Sequence, residues 1–300
     1  MSSIKGLNFD ALVGQDVGTS TLIREVARGG MAVVFAAYQK SLKRQIAVKI
    51  LPKTLLTPMT EQIFQQEAEA AAILSHPNII PIYEVGETSD FLFFTMQLVN
   101  GRSLSDYIRK ARKNPVPSKR ILPLKTSLQI IIQVLDALDY AHRQDIIHRD
   151  IKPGNVLIES HSKRPILLDF GIARVVRGPD LTSSMLLGTP TYMAPEQILK
   201  ADVDGRADIY ATGIMLLEML VPGPLFPEVD SVQDLLKMKL KRKNRLFDKK
   251  PSEMNPMIDK EMDDILSKAL RYDPKKRYAT CRDFQARLQV YMDQYLKRKD

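Results

Sequence analysis

The chain has 300 residues, of which 44% are hydrophobic and 26% are charged, a composition typical of a globular protein with one large domain or two small ones and not of a disordered chain. Its one cysteine, Cys281, excludes an intrachain disulfide and a metal–thiolate site, and it fits a reducing cytoplasm. The net charge of +9 lies partly in the basic stretches 109–125 and 237–250, where aromatic side chains do not alternate with the basic ones, so we expect solvated surfaces and no nucleic-acid binding.

No targeting segment is predicted. The N-terminus lacks a charged stretch followed by an apolar run, which argues against a signal peptide. The most apolar windows, 130–138 and 209–221, are shorter than the roughly 18 residues that a membrane-spanning helix needs. We therefore expect a soluble, cytoplasmic protein without a membrane span.

The first third of the chain is predicted to consist mainly of β-strands. Apolar residues recur at helical spacing between 53 and 75, and Pro77 ends that pattern, so one helix is expected there. Around it, β-branched and apolar residues bounded by turn residues predict strands at 21–26, 33–39, 45–51, 80–87 and 91–99.

Beyond Gly101 the pattern becomes largely helical. Segment 127–142 is strongly amphipathic, with Ile131, Leu135 and Leu138 on one stripe. The sequence therefore predicts an α+β protein in which a small β-rich part is joined near 97–100 to a larger α-helical part. Further helices are predicted at 208–220, 231–241, 260–271 and 281–295, and a short strand at 166–169.

The strongest chemical signal is the segment 148–155, HRDIKPGN, which is followed by the Asp-Phe-Gly triplet at 169–171. Together they supply two carboxylates, a carboxamide and a lysine at fixed spacing, with Asn155 five residues after Asp150. Phosphoryl transfer needs such a set, because one carboxylate must orient a hydroxyl group and other oxygen atoms must hold Mg²⁺.

These motifs resemble those of the protein-kinase superfamily, and Lys152-Pro153 resembles its Ser/Thr branch. The stretch around Gly29, Gly30 and Met31 and the alanine-rich stretch after Glu67 are most similar to the eukaryotic-like kinases of bacteria. The resemblance implies the bilobal, α+β protein-kinase fold in a single domain over 1–300. Its expected parts are an N-terminal extension (1–16), a β-rich N-lobe with one main helix (17–96), a hinge (97–100), an α-helical C-lobe (101–290) and a basic C-terminal end (291–300).

The resemblance also implies an ATP site. Lys49, in Ala-Val-Lys-Ile, resembles the strand lysine that contacts the α- and β-phosphates, and Glu67 is expected to be its partner while Glu69 faces solvent. Segment 26–34 resembles the glycine-rich loop, but Ala27 and Ala32 stand at two of its glycine positions. The residues assigned to ATP are Val26, Gly29, Gly30, Val34, Ala47, Lys49, Met96, Gln97, Val99 and Leu157.

The same resemblance assigns the catalytic roles. Asp150 is expected to contact the acceptor hydroxyl and Lys152 the γ-phosphate, which completes the catalytic set with Lys49 and Glu67. Asn155 and Asp169 are expected to hold the metal ions, Mg²⁺ or alternatively Mn²⁺. His148 is expected to have a structural role, and Asp208 to anchor the backbone of the catalytic loop.

Segment 188–196, GTPTYMAPE, resembles the end of a Ser/Thr kinase activation segment. Thr189 is expected to hydrogen-bond Asp150 and Lys152, and Glu196 to pair with Arg277. The residues expected to flank a groove for protein substrates, and to favour an apolar residue after the acceptor, are Leu186, Leu187 and Met193.

Regulation is expected at Thr182, Ser183 and Ser184, which precede that segment. Arg149 occupies the position that pairs with a phosphorylated activation loop in regulated kinases. We hypothesise autophosphorylation at one or more of these hydroxyl groups, with a homodimer as a route for transfer in trans.

The expected function is that of an ATP-dependent Ser/Thr protein kinase, and two alternatives stay open. A catalytically weak pseudokinase or scaffold is favoured by Ala27 and Ala32 and opposed by the intact catalytic and metal set. A small-molecule kinase of related fold, such as those that act on aminoglycosides, is opposed by Arg149, Lys152 and segment 189–196.

Overall fold

The computed structural model of the chain describes residues 9–29, 32–57, 61, 65, 68–69, 71–170, 190–199 and 201–297. These residues divide into two units. The first contains the described residues up to Asn100 together with Phe170, and the second contains Gly101–Asp169 and the described residues from Pro190 onward. The first unit is mainly β-sheet and the second mainly α-helical.

The first unit is built on an antiparallel sheet in the order β1-β2-β3-β4-β6-β5. Residues 61, 65, 68, 69, 71 and 72, between β4 and β5, are helical, and Ala68 and Ala71 are buried. The strands are β1 (Asp16–Val17), β2 (Ser20–Arg28), β3 (Val33–Gln39), β4 (Arg44–Pro52), β5 (Ile82–Glu87) and β6 (Phe91–Gln97).

One face of this sheet carries the apolar core of the first unit. Successive side chains of a strand point to opposite faces, so Ile46, Val48 and Ile50 lie on one face of β4 while Ala47 and Lys49 lie on the other. The buried cluster on the first face also contains Val17, Leu22, Val33, Phe35, Ala37 and Phe93. The second face of the sheet is therefore free of this core.

The second unit starts with a small antiparallel sheet in the order β7-β8-β9, formed by Gly101–Ser103, Val156–Glu159 and Pro165–Leu167. Three-residue 3₁₀ turns occur at Pro153–Asn155 and Pro190–Tyr192. The α-helices of its described residues are α1 (Leu104–Arg112), α2 (Leu124–His142), α3 (Pro195–Ile198), α4 (Arg206–Leu220), α5 (Val232–Arg242), α6 (Pro251–Met254), α7 (Lys260–Ala269) and α8 (Cys281–Lys297).

Polar side chains begin three of these helices. The hydroxyl oxygen of Ser103 accepts from the Asp106 amide at 3.1 Å before α1, and that of Ser231 accepts from the Asp234 amide at 3.2 Å before α5. Asp259 does the same before α7. Each cap satisfies a backbone N–H group that has no partner inside the helix, which contributes about 1 kcal/mol to helix stability.

Helix α4 forms the centre of the second unit. From Ala207 to Leu220, Glu218 is the one residue of this helix that is not buried, and α2 packs against both α4 and α8. Among the described residues, the segment Pro117–His142, which includes α2, is the one helix long and apolar enough to cross a membrane. Half of its most apolar window is buried inside the protein, as expected of a core helix.

The predicted α+β class is confirmed, and several element boundaries differ from the prediction. The strand predicted at 166–169 ends at Leu167, because Asp169 has a φ of 60°, which a strand cannot continue. The helix predicted from 127 already begins at Leu124, directly after Pro123. The strand predicted at 91–99 ends at Gln97, the last residue that pairs with β4.

Candidate active site

The HRDIKPGN segment forms a loop between α2 and β8, and its polar side chains bind one another. Lys152 Nζ donates to Asp150 Oδ2 at 2.7 Å. Asn155 Nδ2 donates to the same oxygen at 3.1 Å and to the Asp150 carbonyl at 2.9 Å. Two side chains therefore hold the Asp150 carboxylate in one orientation, and the residues selected by sequence spacing meet in space.

Asp208, near the start of α4, holds the backbone of this loop. It is 1% exposed, and its two carboxylate oxygens accept from the amides of His148 at 2.9 Å and Arg149 at 2.8 Å. The buried His148 ring forms a hydrogen bond with the Leu168 carbonyl through Nε2 at 2.8 Å. These contacts are the anchoring role expected of Asp208 and the structural role expected of His148.

His142, the last residue of α2, is a further partner of Asp208 that the sequence patterns did not indicate. Its Nε2 lies 2.8 Å from Asp208 Oδ2. Burial by itself raises the pKa of Asp208, but the hydrogen bond and charge of His142, together with His148, outweigh burial and lower the pKa below its ordinary value. Asp208 therefore remains an acceptor carboxylate for the loop.

Arg149 and Asp169 both adopt the left-handed backbone region, with φ angles of 65° and 60°. This region costs non-glycine residues about 1–2 kcal/mol each, so other interactions must impose it. At Arg149 the amide is held by Asp208, and the carbonyl accepts from Gln197 Nε2 at 3.0 Å. The catalytic loop is thus fixed by α4 and α3 and not by local preference.

Asn155 and Asp169 have the chemistry of a site for a hard cation. Because the Asn155 amide nitrogen makes both contacts with Asp150, the amide oxygen is left as the ligand atom. The Leu168 amide donates to the Asn155 carbonyl at 2.9 Å, which ties the residue before Asp169 to this loop. Among the described residues no group of three or more His, Cys, Asp or Glu side chains could hold a metal. An ion such as Mg²⁺ needs only one or two protein carboxylates when phosphates and waters complete its shell, so this pair fits it.

Four residues assigned to ATP share the face of the first sheet that is free of its core. The strand register pairs Val34 with Lys49 and Ala47 with Met96. The Lys49 ammonium lies 5.6 Å from the ring centre of Phe94, its neighbour on β6. The alternation of side chains therefore presents a cation and a small apolar surface together, as nucleotide binding requires.

The turn after β2 is only partly described. The Gly29 amide donates to the Ala32 carbonyl at 2.8 Å. Ala27 still pairs with Val34 inside the sheet, and Val26, at the bulge between Glu25 and Ala27, is 44% exposed. The alanine at the first glycine position is therefore part of a strand.

Three other ATP residues lie at the end of the first unit or in the second. The Gln97 amide donates to the Pro81 carbonyl at 3.3 Å. Val99 is half-buried. Leu157, in β8 of the second unit, is half-buried and pairs with Ile166.

Several predicted residues lie outside the described residues, so their roles stay predictions. Among them are the proposed partner of Lys49 and the whole set of phosphorylation sites. They are Gly30, Glu67, Thr182, Ser183, Ser184 and Thr189, together with Leu186 and Leu187 of the substrate groove.

The segment that begins at Pro190 is supported by a buried ion pair. Arg277 donates through Nη1 to Glu196 Oε1 at 2.6 Å and through Nη2 to Glu196 Oε2 at 2.7 Å. The pairing of Glu196 with Arg277 expected from the sequence is therefore present. Met193 stands in the sequence between the 3₁₀ turn Pro190–Tyr192 and Glu196, and it is 8% exposed.

Lys239 of α5 corrects the expectation that the basic stretch 237–250 is solvated throughout. It is 1% exposed. Helical periodicity was the signal that could have identified it, because the buried Leu235 and Leu236 stand four and three positions earlier on the same face. Its ammonium donates to backbone carbonyls of the segment Pro190–Met193.

Comparison with known proteins agrees with this geometry. The model of the protein kinase domain family matches residues 20–289. A probable serine/threonine-protein kinase of Streptomyces coelicolor is 36% identical over 89% of this chain and 39% of its own length. Serine/threonine-protein kinase PknF of Mycobacterium tuberculosis is 34% identical over 88% of this chain and 54% of its own length. The crystal structure of the PknI kinase domain of M. tuberculosis has a TM-score of 0.73 and 28% identity, and the match covers 95% of this chain and 98% of that domain.

The chain spans about two fifths to one half of the length of these curated relatives. The match to the family model nevertheless covers nearly the whole chain, and the motifs occur in the described loop with the contacts given above. This chain belongs to the protein kinase family, in its bacterial, eukaryotic-like Ser/Thr branch, whose members use ATP and a divalent metal ion to phosphorylate proteins.

Proposed function

We propose that the chain transfers the γ-phosphate of ATP to Ser or Thr hydroxyl groups of proteins. The observation that carries the proposal is that Lys152 and Asn155 hold the Asp150 carboxylate in one orientation. The Asp208 carboxylate fixes the backbone of the same loop. A carboxylate held in this way can accept a hydrogen bond from an acceptor hydroxyl group without reorganising.

Lys152 is the proposed partner of the transferred phosphoryl group. Its ammonium contacts Asp150 at 2.7 Å, so an acceptor hydroxyl group bound to Asp150 is also close to a positive charge. Because the transferred group carries negative charge throughout the reaction, fixed positive charge and positioning supply most of the rate gain.

Asn155 and Asp169 are the proposed ligands of the divalent ion, which we propose is Mg²⁺, with Mn²⁺ as a substitute of similar ligand preference. When bound, the ion neutralises phosphate charge. The hydrogen bond from Leu168 to Asn155 helps to hold both ligands in one region of the second unit.

For the nucleotide, we propose that Lys49 contacts the α- and β-phosphates with Glu67 as its partner, and that the assigned apolar residues contact the adenine. The support is the face of the first sheet that Val34, Ala47, Lys49 and Met96 share. We also propose protein substrates, a cytoplasmic location and transient homodimers for phosphorylation in trans. The rejection of nucleic acid as a partner stays a prediction.

Phosphate transfer is expected to depend on a divalent ion. With γ-labelled ATP and Mg²⁺, label should appear on Ser or Thr of the protein itself and of a generic basic protein, and it should disappear when a chelator removes the ion, because the bound phosphates then lose their charge partner. Phosphoamino-acid analysis of both products measures this.

Two results would contradict the proposal. ATP binding without any transfer favours the pseudokinase alternative, and glycines should then be restored at Ala27 and Ala32. Label on an aminoglycoside or a sugar, with none on protein, favours the small-molecule kinase.

Phosphate is expected on at least one of Thr182, Ser183 and Ser184 after incubation with ATP and Mg²⁺. The physical reason is that a phosphate in this segment can pair with the Arg149 guanidinium, which directly precedes Asp150. Mass spectrometry of the incubated wild type, beside a triple alanine variant, measures it. An unmodified segment in a protein that phosphorylates other substrates would show that regulation lies elsewhere.

A further inference from the structure

The side chain of Lys239 lies entirely inside the second unit, directly below the segment Pro190–Met193. Its Nζ donates to the carbonyl of Pro190 at 3.2 Å, of Thr191 at 2.8 Å and of Met193 at 2.6 Å. A lysine ammonium has three donors, so all of them are used on a single stretch of four residues.

These contacts compensate the burial of the Lys239 charge, because burying an ammonium is costly unless its donors are satisfied. Two aromatic rings add to the three carbonyls: the ring centres of Tyr210 and Phe226 lie 5.3 and 5.6 Å from Nζ. Within the part of the chain that the structure describes, Lys239 forms no ion pair with a carboxylate. The hydrogen-bond partners of Lys239 are backbone carbonyls, so Lys239 stabilises one backbone conformation of the segment Pro190–Met193.

Burial, with a smaller effect of the Arg277 charge, lowers the pKa of Lys239 to about 7, while Glu196 opposes this. A site that only needed to be filled would be filled at lower cost by methionine or leucine. What an apolar side chain cannot do is satisfy three carbonyls that point towards it, and a carbonyl buried without a partner is costly.

The position of this segment suggests what the contact is for. Pro190–Tyr192 forms a 3₁₀ turn, and α3, which begins at Pro195, follows it. The side-chain nitrogen of Gln197 in α3 donates to the Arg149 carbonyl of the catalytic loop at 3.0 Å. The side-chain oxygen of Gln197 accepts from the Ala194 amide at 2.9 Å. The backbone held by Lys239 therefore continues directly into the contact with the catalytic loop.

We propose that Lys239 is a positioning residue for protein substrate: it fixes the backbone of Pro190–Met193 so that this segment can receive the acceptor polypeptide, and it has no part in binding ATP. The inference rests on the proposed function, because it concerns the substrate side of that same site.

The test compares four proteins: wild type, Lys239→Met, Lys239→Arg and Lys237→Met. The last is the matched control, since Lys237 is on the same helix with a side chain 80% exposed. Initial rates are measured with a basic Ser-containing peptide varied at saturating ATP, and with ATP varied at saturating peptide. For Lys239→Met we expect the peptide KM to rise about tenfold and the ATP KM to stay within about twofold.

The conservative variant separates positioning from packing. Lys239→Arg keeps charge and donors, so its peptide KM should lie nearer to that of the wild type, and Lys237→Met should match the wild type. A general loss of folded protein would lower kcat and leave the peptide KM unchanged. An unchanged peptide KM in Lys239→Met would therefore overturn the proposal. A peptide KM and an ATP KM that rise together would also overturn it.

Hydrogen exchange gives a readout that needs no activity. Amides in 190–199 should exchange faster in Lys239→Met than in wild type and Lys237→Met, whereas equal exchange would also overturn the proposal. If Lys239→Met does not fold, Lys239→Gln replaces it, because glutamine keeps two donors and the same direction of effect is expected. If the wild type shows no phosphate transfer, the proposed function fails, and hydrogen exchange still decides whether Lys239 orders the segment.

Discussion

Asp169→Asn is expected to lower kcat for phosphate transfer by about 10³-fold or more, equivalent to about 4 kcal/mol of transition-state stabilisation. The substitution replaces one anionic oxygen of the proposed metal site by a neutral amide of the same shape. Asparagine also tolerates the left-handed backbone better than most residues, so the φ of 60° at this position should persist. The loss should therefore be chemical and not a loss of fold.

The measurement is kcat as a function of Mg²⁺ concentration, with thermal unfolding as the check on folding. Asp169→Asn should require more Mg²⁺ than the wild type. Asp150→Asn is the comparison variant: we expect a similar loss of kcat with an unchanged Mg²⁺ requirement, because Asp150 is assigned to the hydroxyl group. Asp230→Asn, which removes an exposed carboxylate, is the control for charge alone. Activity of Asp169→Asn within tenfold of the wild type would show that Asp169 is not a metal ligand.

Breaking the buried pair of Glu196 and Arg277 is expected to lower the free energy of unfolding by about 3–5 kcal/mol. The Arg277 side chain is fully buried, and its five N–H groups make five hydrogen bonds. Two go to Glu196, and three go to the carbonyls of Arg206, Arg271 and Tyr272. Removal of either charge leaves the other without compensation in a site that excludes water.

Urea unfolding of Glu196→Gln, Arg277→Met and the double variant measures this. The double variant should lose less than the sum of the single variants, because the second substitution removes the charge that the first one left unpaired. The control is Asp248→Asn, which breaks the exposed pair with Arg242 and should cost less than about 1 kcal/mol. Losses that simply add in the double variant would show that the two side chains act independently.

The helix α1 and the strands β7 and β8 were not predicted. The sequence was sufficient, however, for the type of β2 to β6 and of the longer helices α2, α4, α5, α7 and α8, and for which side chains meet in the catalytic loop. Strand β4 shows why. Its alternation places Ile46, Val48 and Ile50 in the core and Lys49 on the opposite face, and a period of two can be read from the residues alone. The same holds for Asp150 and Asn155, since a spacing of five within one loop is short enough for the side chains to meet.

Boundaries and conformations were less predictable. The strand before Asp169 ends early because the φ of Asp169 is 60°. Arg149 adopts a left-handed backbone because partners in α4 and α3 hold its amide and its carbonyl. Local preferences favour neither outcome, so propensity could not indicate them.

By itself, then, the sequence determined the order of the elements that it predicted and the spacing of the polar side chains within the catalytic loop. The tertiary structure alone decided that Lys239 lies beneath a segment 46–49 residues before it in the chain, and that His142 contacts an aspartate 66 residues later. The physical reason is that the burial of a charge and the identity of its partners depend on which distant segments meet in the folded core. Short-range patterns record the faces of a helix or a strand, and they carry no information about what packs against those faces.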